Sequence, residues 1–111
     1  MKNTGLIPDL PDGCCVEVPC LVDRAGVQPT VVPARPAHLT AMNRTFLNVV
    51  ELTVRAVLDG DRQQVYRAAM LDPNVSATLT LDRIHDMVDE LIEAHGEAIP
   101  EAIRRGDRSR A

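Results

Sequence analysis

Cys14, Cys15 and Cys20 are the residues whose type most readily suggests chemistry, since a thiolate can bind zinc or act as a nucleophile. Their spacing argues against both roles. No C-x-x-C is present, and the histidines stand at positions 38, 85 and 95, well away from the thiols. Three is an odd number, and the adjacent Cys14–Cys15 pair does not readily close on itself, so reduced thiols fit better than a disulfide framework. In an extended chain Cys14 shares a face with Val16, Val18 and Cys20, while Cys15 points the other way. The expectation is that all three are buried or half-buried packing residues.

His85 and Asp89 stand one helical turn apart, the spacing of a metal pair or of a general base oriented by a carboxylate. Asp82, Asp86, Glu90 and Glu93 surround them on the side opposite an apolar stripe, which reads as a solvated acidic face. Arg105-Gly106-Asp107 spells an adhesion tripeptide, but three residues recur by chance and nothing in the chain indicates secretion. The sequence holds no glycine-rich phosphate loop, no G-x-S-x-G and no Cys/His pair at a plausible distance. No catalytic, cofactor-binding or metal-binding residue is therefore assigned.

Composition narrows the class of partner. Of 111 residues, 45% are hydrophobic and 25% charged, which are ordinary globular values. Aromatic residues make up 2%, Phe46 and Tyr66, too few to stack sugars or bases. The net charge of −4 is the wrong sign for a phosphate-backbone binder, so nucleic acid is not an expected partner. No apolar run approaches a membrane span, and Met1–Gly13 lacks the apolar core of a secretory signal, so a soluble cytoplasmic protein is expected. Acids crowd Asp82–Glu97, whereas residues 104–111 form a basic tail expected to be flexible.

The elements that would carry these residues follow from local patterning. Residues 12–32 read as a hairpin, with strands at Cys15–Val22 and Val27–Val32 joined by Asp23-Arg24-Ala25-Gly26; Pro19 marks the first as an edge. Pro29, Pro33 and Pro36 end the return strand. From Ala37 to Leu58 apolar residues recur at three and four, which predicts a long helix; Leu47, Val54 and Leu58 lie off its main stripe, so it needs covering on more than one side. Asp59-Gly60-Asp61 breaks it, a shorter helix runs to Leu71, and Pro73 opens a short turn. Thr80 then caps an amphipathic helix through Ile84, Met87, Val88, Leu91 and Ile92, ending at His95-Gly96. The fold class is α+β, an N-terminal hairpin followed by three to four helices.

Taken in order, Asn3-Thr4-Gly5-Leu6-Ile7-Pro8-Asp9-Leu10-Pro11, Val16-Glu17-Val18-Pro19-Cys20-Leu21-Val22-Asp23, Gly26-Val27-Gln28-Pro29, Asn43-Arg44-Thr45, Glu51-Leu52-Thr53-Val54 and Ala68-Ala69-Met70-Leu71-Asp72-Pro73 form a series. It resembles the C-terminal end of the α-galactosidases of glycoside hydrolase family 4, from Asn3 to about Ile103. The resemblance implies that residues 1–103 are part of a lactate-dehydrogenase-like substrate domain. It further implies an enzyme that uses NAD and a divalent metal such as manganese, in place of the usual carboxylate pair. The family's NAD fingerprint, its metal-binding Cys and His and its Tyr base belong to earlier parts of the family chain, so no role passes to Cys20. The expectation is a structural and oligomerising segment, inactive alone, whose partners are further copies and the preceding domain. A free-standing helical interaction module is the alternative.

Overall fold

A computed structural model describes residues 1–107 of the chain. It has two compact units, residues 1–44 and the residues from 45 onward. The order of elements is β1 (Cys20–Asp23), β2 (Gly26–Pro29), α1 (Ala37–Asp59), α2 (Arg62–Leu71), α3 (Pro73–Thr78), α4 (Leu81–His95), a 3-10 turn (Gly96–Ala98) and α5 (Glu101–Arg104). The hairpin-then-helices α+β arrangement agrees with the sequence pattern, and the single-turn α5 adds to the expected helices.

The hairpin of the first unit is shorter than its β-forming residues suggest. β1 and β2 pair antiparallel, with Cys20 opposite Pro29 and Asp23 opposite Gly26. The Asp23 carboxylate accepts from Ala25 N at 2.7 Å and steadies the turn. Beyond the named strands, Thr30 N donates to the Pro19 carbonyl at 2.9 Å. Residues 14–16 pair instead with the chain start: Val16 N donates to Met1 O and Asn3 N to Cys14 O, each at 2.7 Å. The reason the expected Cys15–Val22 strand divides is that Pro19 offers no donor and this stretch already has a partner in Met1–Asn3.

Asn3 fixes that loop. Its side-chain amide donates to the carbonyls of Ile7, Leu10 and Pro11 at 3.0–3.1 Å, and its Oδ1 accepts from Ile7 N at 3.0 Å. It is fully buried, so every polar atom must find a partner within the protein. Ile7, Leu10, Val16 and Val18 are buried in the same unit.

In the second unit α2, α4 and α5 pack together around Ala56, Tyr66, Val88, Ile92 and Ile103, with Val65, Ala69, Met70, Met87 and Ile99 at the margin. The helix boundaries follow capping chemistry. Asp61 accepts from Gln63 N at the start of α2, and Asp72 accepts from Asn74 N and Val75 N at the start of α3, where Pro73 takes the first helical position. Thr80 occupies the N-cap of α4 without a side-chain cap bond, so Asp82 in the first turn is left to suit the dipole. Leu91, expected on the apolar stripe of α4, is exposed.

The 23-residue α1 begins in the first unit and ends in the second, and Ala56 is its one buried residue. Gly60 stops it at φ +66, where a Cβ would meet Ala102 Cβ at 2.8 Å. Gly60→Ala should therefore cost roughly 1–2 kcal/mol from left-handed strain alone. The contact with Ala102 adds to that, and thermal melts should show a Tm about 4–8 °C lower per kcal/mol lost. An unchanged Tm would contradict the assigned backbone.

Candidate functional site

The thiols do not converge on a site. Cys15 and Cys20 are exposed and Cys14 is half-buried, which corrects the expectation that all three are packed away. The alternation holds as far as Val16 and Val18, both buried, and fails at Cys20 because the hairpin beyond it is open on both faces. The Cys20 thiol donates to the Val18 carbonyl at 3.4 Å and lies 3.9 Å from the Met1 sulfur. A depression lined by Lys2, Asn3, Thr4, Gly5, Asp12 and Gly13 lies in this unit, but the side chain of Asn3 is already committed to the loop itself.

A polar cluster does form in the second unit, and it overturns the solvated-face reading of His85 and Asp89. His85 is buried, with its ring stacked on Tyr66 at a centroid separation of 4.3 Å and an interplanar angle of 27°. Asp89 turns inward. Its Oδ1 accepts from Arg62 Nη2 at 2.6 Å and also from the Tyr66 hydroxyl. Arg62 Nε donates to the Tyr66 oxygen at 2.7 Å, and Nη1 donates to the carbonyls of Ile103 and Arg104 at 3.3 and 2.9 Å. The Arg62 side chain is 0% exposed while that of Asp89 is 38% exposed, so the ion pair is dry on one side and wet on the other. Asp82, Glu90 and Glu93 remain exposed as expected, and Asp86 is half-buried.

The electrostatics suit a clasp better than a catalyst. Burial works against the charge on Arg62, but its bonds to Tyr66 and Asp89 outweigh that and raise its pKa. Burial, followed by the hydrogen bond to Asp89, pushes the Tyr66 phenol up against the opposing pull of Arg62. A phenol held neutral between a fixed guanidinium and a carboxylate has its proton committed. The arrangement joins α2, α4 and α5, which come from distant parts of the chain.

The Arg105-Gly106-Asp107 tripeptide is held against the same clasp. Arg105 pairs with Glu101 at 2.8 Å, and the Asp107 carbonyl accepts from Gln63 Nε2 at 3.0 Å. A Cβ at Gly106 would meet Arg62 Cβ at 2.7 Å, so only glycine permits this approach. The expected tail at 104–111 thus begins inside α5, and residues 108–111 lie outside the described residues. Among the described residues, no three His, Cys, Asp or Glu side chains are grouped as a metal site would need. Sequence reasoning overlooked Arg62 and Tyr66. The signal available was their spacing of four on a helix that carries both a full positive charge and the only tyrosine.

Comparison with known proteins settles the family. Residues 1–75 match the family 4 glycosyl hydrolase C-terminal domain. The chain belongs to glycoside hydrolase family 4. An α-galactosidase of Bacillus subtilis (strain 168) is 43% identical over 99 residues, which is 89% of this chain and 23% of that protein. An α-galactosidase of Rhizobium meliloti (strain 1021) is 32% identical over 91% of this chain and 21% of its own length. A maltose-6′-phosphate glucosidase of Fusobacterium mortiferum is 31% identical over 90% of the chain and 22% of its own length. The chain therefore spans between a fifth and a quarter of the length of these family 4 relatives. No solved structure matches it.

Three measurements test this description. Tyr66→Phe leaves Arg62 Nε without its acceptor and should cost about 1–3 kcal/mol. Arg62→Ala, which removes one partner of a buried pair, should cost more, about 3–5 kcal/mol in urea melts. The raised Tyr66 pKa also sets a sign. Its stabilising contribution is complete below the unfolded phenol value of about 10 and is lost as pH rises through the higher folded value. Tyr66→Phe should abolish that alkaline decline. In the native chain, a chromogenic thiol reagent should titrate Cys15 and Cys20 fast and Cys14 slowly, with Cys15→Ser and Cys20→Ser each removing one fast equivalent.

Proposed function

We propose that this chain serves as the C-terminal structural segment of a family 4 enzyme of α-galactosidase type, completing its substrate domain and supporting homo-oligomerisation. The observation that carries this reading is the 43% identity to the Bacillus subtilis α-galactosidase across 89% of the chain, against only 23% of that enzyme. The bond-breaking residues, the NAD site and the site for a divalent metal such as manganese then lie in the remainder of the enzyme, which is placed in the cytoplasm.

The polar side chains here have structural partners or face solvent. His85 is stacked on Tyr66, Asp89 is paired with Arg62, and two of the three thiols face outward from the hairpin region. No chemical step is assigned to this chain. When bound in the complete enzyme, NAD would supply transient oxidation of the sugar and the metal would acidify the neighbouring carbon.

A second reading, a free-standing helical interaction module, draws on the exposed apolar residues Leu21, Val22 and Val27 of the hairpin. The two readings separate at the gene. DNA upstream of Met1 should encode a glycine-rich NAD fingerprint, in frame or after one frameshift, under the enzyme reading alone. Thermal-shift titration of the 111-residue chain with NAD and with manganese should give no saturable stabilisation; a saturable shift with either would place a site in this segment and overturn the assignment.

A further inference from the structure

The three thiols do not meet one another, but one of them meets a thioether. Cys20 Sγ lies 3.9 Å from Met1 Sδ, although 19 positions separate the two residues in the chain. Main-chain bonds fix both ends of that contact. Met1 is paired with Val16, its nitrogen donating to the Val16 carbonyl and its carbonyl accepting from Val16 N, each at 2.7 Å. Cys20 stands opposite Pro29 in the hairpin. Thr30 holds the residue before it, donating from N and from Oγ1 to the Pro19 carbonyl at 2.9 and 2.8 Å. Both sulfur-bearing side chains are open to water, so an ion can reach the pair.

We propose that Met1 and Cys20 form a binding site for a soft monovalent metal ion, copper(I). The separation of the sulfurs is the first reason. Two sulfurs bonded to one ion at about 2.3 Å stand about 4.0 Å apart when the angle between them is 120°, and about 4.6 Å apart when it is 180°. The observed 3.9 Å fits a three-coordinate centre with no movement of the main chain. Donor type is the second reason. A thiolate with a thioether is a soft pair that suits copper(I), whereas zinc takes four ligands and harder divalent ions prefer oxygen donors. Among the described residues no group of three His, Cys, Asp or Glu side chains is present to hold such an ion.

Charge is the third reason. Binding releases the Cys20 thiol proton to solvent and forms a copper–sulfur bond, while Met1 gives a lone pair and keeps its own bonds. One thiolate then cancels one positive charge, and no electron is transferred. The remaining position opens toward solvent and takes a water or a small thiol. Cys15 Sγ also approaches Met1, but at its nitrogen, 3.9 Å away, so it is not counted with the pair. The site uses residues of the first unit alone and does not depend on the enzyme reading.

The test is an anaerobic titration of the 111-residue chain with copper(I) in millimolar glutathione, which strips the ion from isolated surface thiols. The chain should retain one equivalent. Loss of a ligand costs at least as much as loss of its outer hydrogen-bond partner, so Cys20→Ser should weaken retention by about 100-fold or more. Cys14→Ser and Cys15→Ser should leave it unchanged. The thioether is read separately by replacing Met42, Met70 and Met87 with Leu, a volume-conserving change, and growing the protein on selenomethionine. X-ray absorption at the selenium edge should then show a directly bonded copper. No retention above glutathione overturns the proposal, as do equal losses from all three cysteine variants, which would mean an adventitious ion only. Retained copper without a selenium neighbour overturns it as well, since the ion is then held by thiol alone. Zinc bound as tightly as copper(I) overturns the assignment of the ion.

Discussion

The helical half of this protein depends on a guanidinium with no access to water. A buried charge is tolerated only when its donors are met, and Arg62 meets them with a carboxylate, a phenol and two main-chain carbonyls. Those partners come from α2, α4 and α5, so the charge dictates that three separate elements arrive at one point. The apolar contacts among Ala56, Tyr66, Val88, Ile92 and Ile103 are less particular, because hydrophobic burial is non-directional and several packings would satisfy it. The directional bonds of Arg62 select one of them. Its partner Asp89 keeps an edge in solvent, which lessens the desolvation cost of the pair.

Local rules made most of the helical architecture legible. The ends of α1, α2 and α4 fall where Gly60, Asp61 and His95-Gly96 place them, since caps and breakers act over a few residues. Non-local pairing was harder to read. Val16 and Val18 look like partners for the return strand, yet residues 14–16 pair with Met1–Asn3, a choice set by Asn3 and by the missing donor of Pro19. The single turn of α5 carries too few residues for a periodic signal, and it is held by Arg62 donating to its carbonyls.

The polar cluster was only half legible. Helical spacing shows that His85 and Asp89 share a side of α4, but not that α2 brings Tyr66 against one and Arg62 against the other. An acidic run normally faces water, and all five acids on that face are at least partly exposed; Asp89 departs in turning one carboxylate oxygen inward, because a buried cation requires it. The family resemblance was legible because it depends on the order of many short stretches, whereas burial of any one side chain depends on what meets it across the fold.

The sector of α1 that leaves Phe46, Val50, Val54, Val57 and Leu58 exposed has a consequence for the life of the polypeptide in a cell. Several large apolar side chains in a row on one exposed surface are what chaperones and quality-control proteases recognise. A free chain that leaves this sector in water carries that liability with it.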